Sequence, residues 1–269
     1  MVTKGGQTVD AEIIKTDITD YIATVTIDRP PVNAMNRQMF EEIQAAFDAL
    51  NNRSDVRAAI FTGAGKCFCA GADMKARSAS LEGQQAPRPG SMWAHSRTAR
   101  EAFNSILECA VPVIGAINGP ALGGGLALVA SCDILIASEN AVLGLPEIDV
   151  GLLGGGRHTQ RLFGVYKARK LMYTGERVGA AELYRLGIVE KVVPPDKLMA
   201  EARALAQIIA EKSPLAIRLA KHAMNTIEFM DLRNGYRFEQ NMTHELSGSE
   251  DAKEAARAFV EKRKPMFKG

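Results

Sequence analysis

The sequence is poor in the residues on which several specialised protein classes depend. Aromatic residues make up 6% of its 269 residues, with one tryptophan, which disfavours a surface that stacks nucleic-acid bases. Positive charge exceeds negative charge by only two, with 33 Lys and Arg against 31 Asp and Glu, so we expect no nucleic-acid partner. Hydrophobic residues at 46% and charged residues at 24% are ordinary globular values, and they exclude a disordered or fibrous chain.

Cysteine and histidine are scarce, with four of each. The Cys-x-Cys pair at 67 and 69 has neither the spacing of a zinc or redox site nor the density of a disulfide framework. No histidine pair has the His-x-x-x-His spacing, so we expect no metal site. Small buried thiols are typical of a reducing compartment, and we therefore expect a cytoplasmic protein.

Long apolar runs are almost absent as well. Residues 1–15 include Asp10 and Glu12 and no apolar stretch, so they do not resemble a signal peptide. Residues 109–132 carry no charge and are long enough to span a bilayer, but they contain two prolines and three consecutive glycines. This composition predicts a buried strand, a turn and a helix, and we expect no membrane association.

Strand and helix patterns alternate to about residue 193, and only helical patterns follow. This order predicts an α/β core with a helical C-terminal portion, divided into 1–195 and 196–269. Within the core, Asn36 is a candidate cap for a helix that reaches about Asn52, and residues 158–163 are predicted to be a short helix.

Two glycine-rich turns each lie between a predicted strand and a predicted helix, at residues 69–73 and 123–125. Glycine allows close approach of the backbone, and helix N-termini present unpaired N–H groups. Two such groups aimed at one point can hold an oxyanion. Neither turn has the spacing of a phosphate-binding loop, and no Gly-x-Ser-x-Gly elbow is present. On spacing alone, a purely structural role for both turns stays open.

Longer segments resemble, in order along nearly the whole chain, the signatures of the enoyl-CoA hydratase/isomerase, or crotonase, family. These segments are DRP (28–30) with NAMN (33–36), CFCAGADMK (67–75), NGPALGGGLA (118–127), SCDILIA (131–137), LPEIDVGLLGGGRHTQRL (145–162) and AFVEKRKPMFK (258–268). The resemblance implies a crotonase-like spiral of repeated ββα units with a helical C-terminal trimerisation region. It also implies a homotrimer, or a hexamer built as a dimer of trimers.

The resemblance carries specific roles onto this sequence. Family members hold the oxygen of an acyl-CoA thioester between two backbone N–H groups, which here are those of Ala72 and Gly124. The acid–base group is Glu147, whose apolar neighbours predict a raised pKa. Phe259 and Lys262 match positions that hold the adenine end of CoA, often from a neighbouring subunit. The implied substrate-binding residues are Ala72, Asp73, Met74, Lys75, Gly124, Gly155, Phe259 and Lys262.

Four positions depart from the family pattern. Ala127 stands where family hydratases usually have a second glutamate, three residues after the oxyanion glycine. Arg157 and His158 replace glycines; we expect them to cover the start of a helix, with a catalytic His158 as the alternative. Val32 replaces a commonly basic residue, which puts CoA contacts there in doubt.

The resemblance implies an enzyme without a cofactor, since coenzyme A enters as part of the acyl-CoA substrate. Reversible addition of water to a 2-enoyl-CoA is placed first on overall similarity. Double-bond isomerisation by Glu147 alone, or hydrolysis or cleavage of an acyl-CoA, are the alternatives within the family. A non-catalytic or RNA-binding member is the alternative of a different class, and the small net charge argues against RNA.

Overall fold

Two β-sheets carry the fold. The computed structural model describes residues 12–74 and 90–268. Its strands are β1 (Ile14–Thr19), β2 (Ile22–Ile27), β3 (Ala58–Gly63), β4 (Val113–Ile117), β5 (Pro120–Leu122), β6 (Ile134–Ser138), β7 (Val142–Gly144), β8 (Arg177–Gly179) and β9 (Lys191–Val193). One sheet has the order β1-β2-β3-β4-β6-β9, and the other has the order β5-β7-β8.

The described helices surround these sheets. They are α1 (Arg37–Asn51), α2 (Ser91–Leu107), α3 (Gly124–Ala130), α4 (Gly156–Thr174), α5 (Ala180–Arg185), α6 (Leu198–Ala210), α7 (Pro214–Ile227), α8 (Leu232–Ser247) and α9 (Glu250–Val260). Two 3-10 turns, Pro146–Val150 and Pro195–Lys197, complete the regular structure. The helical C-terminal portion agrees with the sequence pattern.

The large sheet is parallel apart from the β1–β2 hairpin. Strand β2 pairs in parallel with β3, β3 with β4, β4 with β6 and β6 with β9. Every residue of β3 and β4 is buried, as expected for parallel strands covered on both faces. The carboxyl ends of β2, β3, β4 and β6 therefore meet at one edge, where open α/β sheets place their ligands.

Helix α1 forms because its cap and its apolar stripe agree. The Asn36 side chain accepts a hydrogen bond from the Met39 backbone N–H at 2.9 Å, and the predicted cap is therefore confirmed. The buried face of the helix consists of Met39, Phe40, Ile43, Phe47 and Leu50. This face packs on the sheet core and against α2. The packing places the start of α1 beside the carboxyl edge of the sheet.

The C-terminal helices are joined to the core. Leu198 and Ala202 of α6 pack with Ile60 and Ile114 of the large sheet in a second hydrophobic cluster. The side chain of Asp251 on α9 accepts a hydrogen bond of 2.6 Å from the Ser213 hydroxyl at the start of α7. The division at residues 195 and 196 stays a prediction, and α6 lies against the sheet immediately after it.

The uncharged segment 109–132 folds as β4, β5 and α3, which confirms the predicted strand, turn and helix. The helix predicted at 158–163 forms the first part of α4, which runs from Gly156 to Thr174 and is interrupted at Gly164, where φ of 68° and ψ of 174° are not helical. Helix α4 buries only Thr159, Ala168 and Leu171. Its sequence therefore has no continuous apolar stripe that would predict its full length. Among the residues described, none of the helices combines the length and the apolar character needed to cross a membrane.

Candidate active site

The two glycine-rich turns lie side by side. Cys69 and Ala121 form an isolated parallel β-bridge. The Cys69 N–H donates to the Pro120 carbonyl at 3.1 Å, and the Leu122 N–H donates to the Cys69 carbonyl at 2.9 Å. Parallel pairing keeps both segments in step, and Ala72 and Gly124 each follow the bridge by three residues. The pairing thus brings together two residues that are far apart in the sequence.

Ala72 presents its backbone N–H away from the segment with which it pairs. It forms a parallel bridge with Met35, through hydrogen bonds from Met35 N–H to the Gly71 carbonyl (2.7 Å) and from Asp73 N–H to the Met35 carbonyl (3.0 Å). These bonds use the groups that flank Ala72, so its own N–H and carbonyl point to the other side. No described residue accepts a hydrogen bond from this N–H, and Ala72 is exposed.

Gly124 is the first residue of α3, and its N–H therefore has no partner within the helix. A β-carbon placed on it would lie 2.5 Å from the Met35 sulfur. Met35 thus pairs with Ala72 through its backbone and covers Gly124 with its side chain. The residues that carry the two amides therefore share one neighbour in Met35, and their use as an oxyanion hole stays a prediction. Met35 stands in the NAMN segment, and no pattern in the sequence marked it as a site residue.

Glu147 enters this site from the 3-10 turn that follows β7. The turn is anchored by fully buried Leu145 and by a 2.8 Å hydrogen bond from the Leu152 N–H to the Glu147 carbonyl. The carboxyl group lies against the α-carbon of Gly123, so that a β-carbon there would collide with Oε1. Gly123 is the residue before Gly124. The acid is therefore in contact with the turn that carries one of the two amides.

The electrostatic environment of Glu147 suits proton transfer. Its Oε2 atom is buried and has no hydrogen-bond partner among the described residues. Burial raises the pKa of the Glu147 carboxyl above its usual value, and a backbone hydrogen bond opposes this only in part. An unpaired buried carboxyl oxygen with a raised pKa can take up a proton and release it again at low energetic cost.

The position of the absent second acid is buried in α3. Ala127 is 2% exposed, and its carbonyl accepts hydrogen bonds from the N–H (3.1 Å) and the hydroxyl (2.9 Å) of Ser131. Its methyl group offers no proton and no hydrogen bond. Glu147, the carboxylate predicted to do acid–base chemistry, is the one that contacts the turn at Gly123.

The start of α4 forms another side of the site. Gly155 precedes the helix in a left-handed conformation, and a β-carbon on it would lie 3.7 Å from the Gly123 carbonyl oxygen. One turn later the half-buried His158 ring packs edge-on against Phe103, with ring centroids 5.1 Å apart. Arg157 is exposed, and its guanidinium lies 4.9 Å from the centre of the Phe229 ring. Phe103 belongs to α2.

The residues that follow Ala72 differ in what they offer to a ligand. The Asp73 carboxylate accepts a 2.8 Å hydrogen bond from Arg29, whose other guanidinium nitrogen donates to the Ala34 carbonyl at 2.7 Å. Asp73 therefore helps to hold the loop in place. Met74 is 41% exposed. Lys75, which the resemblance assigns to substrate binding, lies outside the described residues.

Phe259 and Lys262 are not brought to the two amides within this chain. Phe259 on α9 is 86% exposed, and Lys262 is exposed just beyond that helix. The tail that follows lines a cavity with Tyr21 and Arg57, which precede the first residues of β2 and β3. That is the amino edge of the parallel strands, opposite the amides. Contact of these two residues with CoA therefore stays a prediction that requires a second subunit.

Within residues 12–74 and 90–268, no group of three His, Cys, Asp or Glu side chains could hold a metal ion. The four cysteines are free and buried, and burial raises their pKa, that of Cys69 to about 12. These thiols are therefore protonated at neutral pH and are poor nucleophiles.

Known proteins resemble this chain both in sequence and in structure. The profile of the family described as enoyl-CoA hydratase/isomerase matches residues 17–269. A (7aS)-7a-methyl-1,5-dioxo-2,3,5,6,7,7a-hexahydro-1H-indene-carboxyl-CoA hydrolase of Rhodococcus jostii is 41% identical over 247 residues, covering 91% of this chain and 93% of the hydrolase. A short-chain-enoyl-CoA hydratase of Clostridium acetobutylicum is 38% identical over 250 residues, covering 90% and 92%. The crystal structure of an enoyl-CoA hydratase from Bacillus anthracis aligns with a TM-score of 0.88 at 35% identity, covering 96% of this chain and 100% of that one.

Proposed function

Since this chain belongs to the enoyl-CoA hydratase/isomerase family and has the crotonase fold, we propose that it catalyses reversible addition of water to a 2-enoyl-CoA. The observation that carries the proposal is the Glu147 carboxyl, which touches Gly123 and keeps one buried oxygen without a hydrogen bond. The thioester oxygen binds between the N–H groups of Ala72 and Gly124. A substrate held in this way presents its reacting carbons to Glu147.

The reaction follows from this arrangement. The carboxylate of Glu147 takes a proton from water as the water oxygen bonds to the β-carbon of the substrate. The electron pair of the double bond moves to the thioester oxygen, where the two N–H groups stabilise the enolate. The protonated Glu147 then returns its proton to the α-carbon. Hydroxyl and hydrogen have been added, and the carboxylate is regenerated by one group acting first as base and then as acid.

Hydrolysis of an acyl-CoA is the second candidate, because Ala127 supplies no second acid to hold the water. The similarity to the Rhodococcus hydrolase, at 41% identity, supports it. Isomerisation is a third outcome, since a single carboxylate can move a proton between the γ- and α-carbons. Hydration and isomerisation form the same enolate, whereas hydrolysis forms a tetrahedral oxyanion when water adds to the thioester carbonyl carbon and the CoA thiol leaves. In all three reactions the thioester oxygen becomes negatively charged, so they share the roles of Ala72, Gly124 and Glu147.

The acyl-CoA thioester is the proposed substrate, and no separate cofactor takes part. We also propose a cytoplasmic homotrimer or a dimer of trimers. Large apolar side chains stand exposed on the C-terminal helices and their connections, and burial between subunits would remove them from water. They include Met224, Phe229, Leu232, Phe259 and Val260.

A panel of acyl-CoA substrates with products identified by mass tests the proposal. A product heavier by one water indicates hydration, free CoA indicates hydrolysis, and a shifted double bond at constant mass indicates isomerisation. The Glu147→Gln variant is the matched control for each substrate. The proposal is wrong if no 2-enoyl-CoA gains water in the presence of the native chain.

A further inference from the structure

The Ala72 N–H is the last group of a hydrogen-bond chain that begins at a cation. The guanidinium of Arg29 donates from Nη1 to the Ala34 carbonyl at 2.7 Å. The same peptide unit carries the Met35 N–H, which donates to the Gly71 carbonyl at 2.7 Å. The Gly71 carbonyl in turn shares its peptide unit with the Ala72 N–H. Two peptide groups in series therefore connect Arg29 with a donor that is proposed to hold the thioester oxygen.

The dipoles of this chain all point the same way. In a trans peptide the N–H and the C=O point in opposite directions, so a carbonyl that accepts on one side leaves its N–H to donate on the other. A positive charge at the accepting side draws electron density toward each carbonyl oxygen, and the N–H beyond it becomes a stronger donor. Hydrogen bonds in such chains strengthen one another by about 10–30% per bond. The Ala72 N–H is thereby aligned and polarised toward a negatively charged oxygen.

The start of the chain is held in place. Arg29 follows the carboxyl end of β2 by two residues, and its Nη2 donates to the Asp73 carboxylate at 2.8 Å. Its backbone N–H donates to the Asn33 side chain at 2.9 Å. Asn33 is buried and donates in turn to the Cys67 carbonyl at 2.8 Å. The guanidinium therefore has a fixed position relative to the segment that carries Ala72.

The ion pair with Asp73 limits how the charge of Arg29 can act. The carboxylate offsets the field of the guanidinium at longer distances, because the two opposite charges lie side by side. Its influence on Ala72 is therefore transmitted through the hydrogen bonds more than through space. An ion pair that only fixed the loop would need one guanidinium nitrogen, whereas Arg29 uses its other terminal nitrogen on the peptide group that donates to Gly71.

We propose that Arg29 is a positioning residue that orients and polarises the Ala72 N–H through the Ala34 and Gly71 carbonyls. It thereby strengthens one of the two donors to the thioester oxygen. The inference rests on the proposed function, because that oxygen belongs to the acyl-CoA substrate. Arg29 acts through the two peptide groups and takes no part in proton transfer.

Infrared spectroscopy of a bound thioester measures the strength of this donor. The probe is butyryl-CoA, isotope-labelled at the thioester carbonyl carbon and saturating the Glu147→Gln variant, in which turnover should be slow. A stronger hydrogen bond moves the carbonyl band to lower wavenumber, so the bound band should lie below its position in water. Adding Arg29→Met should return the band part of the way, because Met cannot donate. Arg29→Gln keeps a neutral donor and should give an intermediate band.

Turnover of the best substrate in the acyl-CoA panel is the second measurement, with Glu147 intact. Loss of a whole oxyanion donor costs about 10²–10³ in kcat, and a weakened donor costs less, so Arg29→Met should lower kcat by about 10-fold. The change in KM should be less than about 3-fold, because the donor acts mainly on the charge that develops in the transition state.

Two controls separate polarisation from a purely structural ion pair. Asp73→Asn removes the negative charge but keeps an acceptor for Arg29, so its carbonyl band should stay closer to that of the parent than the band of Arg29→Met does. Arg37→Met removes a cation at the start of α1, where Arg37 donates to Glu41 at 2.7 Å on the exposed surface. This variant should leave the band and kcat unchanged.

The inference is overturned if Arg29→Met keeps the parent's carbonyl band, or if Asp73→Asn displaces the band as far as Arg29→Met does. If circular dichroism shows that Arg29→Met does not fold, Arg29→Gln decides, and a band at the parent's position overturns the inference. Failure of butyryl-CoA to bind, or a bound band at its position in water, would instead overturn the proposed function. The two failures are therefore distinguishable in one set of spectra.

Discussion

The carboxyl group of Glu147 lies against the α-carbon of Gly123, in the space that the side chain of any other residue would occupy. Gly123 has φ of 57° and ψ of −119°, a conformation that favours glycine. The acid and the turn that precedes the Gly124 amide are therefore fitted to each other. Their contact joins two segments that lie on neighbouring strands of the small sheet, β5 and β7.

Glu147→Gln should lower kcat/KM by about 10²–10⁴, the usual contribution of one general acid–base group, while the fold is kept. The substitution preserves the size of the side chain and removes the carboxyl group that can take up and release a proton. Steady-state kinetics on the best substrate of the acyl-CoA panel provide the measurement. Asp149→Asn, an exposed carboxylate on the same 3-10 turn, is the control and should retain native activity. Near-native turnover by Glu147→Gln would mean that another group carries the proton.

Gly123→Ala should displace Glu147 and lower kcat/KM by about 10²-fold, because a methyl group would overlap its carboxyl oxygen. Gly187→Ala is the matched control. It introduces the same methyl group at a similar positive φ, 69°, but with no atom within 4 Å. Both variants should lose about 1 kcal/mol of unfolding free energy from backbone strain, measured by urea denaturation. Equal activities of the two variants would contradict the contact described above.

Gly124→Val should abolish turnover, because the added side chain would meet the Met35 sulfur and fill the space above the two amides. The variant keeps the backbone N–H, so the loss comes from steric exclusion of the thioester from that donor, and a thioester oxygen that misses one donor loses about 10²–10³ in kcat. Binding of butyryl-CoA and kcat/KM are the measurements, with circular dichroism as the check on folding. Gly179→Val, at a helix cap with open space around it, is the control and should remain active. A folded Gly124→Val protein with native kcat/KM would refute the assignment of this amide.

The raised pKa of Glu147 predicts a pH-dependent effect on stability. Burial disfavours the ionised carboxyl, so the folded state holds its proton to a higher pH than the unfolded state. The contribution of Glu147 to stability is thus fully present below the unfolded carboxyl pKa and is lost as pH rises through the folded pKa. Glu147→Gln should therefore have a higher Tm than the native chain at pH 7. In acid the Tm values of the variant and the native chain should be nearly equal. A Tm difference that grows as pH falls would have the wrong sign.

The exposed apolar residues of the C-terminal helices predict a cyclic oligomer. Light scattering at micromolar concentration should give the mass of three or six chains. Leu232→Glu, at a position that is 90% exposed in the single chain, should shift the mass toward the monomer without unfolding it. Lys197→Glu is the control, because it changes the charge at an exposed turn and should leave the mass unchanged. A native chain that is monomeric under these conditions would contradict the prediction.

Local sequence patterns predicted much of the architecture. The cap at Asn36 and the strand–turn–helix order of residues 109–132 depend on neighbouring residues, and the structure confirms both predictions. The predicted helix end at residue 163 coincides with the break at Gly164, and the helical residues after the break were not predicted because α4 buries few residues. Strand β8 has only three residues, and its pairing with β7 depends on partners more than 30 positions away.

The sequence by itself determined the family and the alanine at position 127, and it predicted Glu147 as the single acid, because these depend on residue types in a fixed order. Only the tertiary structure decided that Ala72 and Gly124 share one neighbour in Met35, and that the ring of His158 packs on Phe103. It also placed residues 264–267, which follow Phe259 and Lys262, at the opposite edge of the sheet within the single chain. Such relationships depend on strand register and side-chain packing between distant segments, and no local pattern of residues records either.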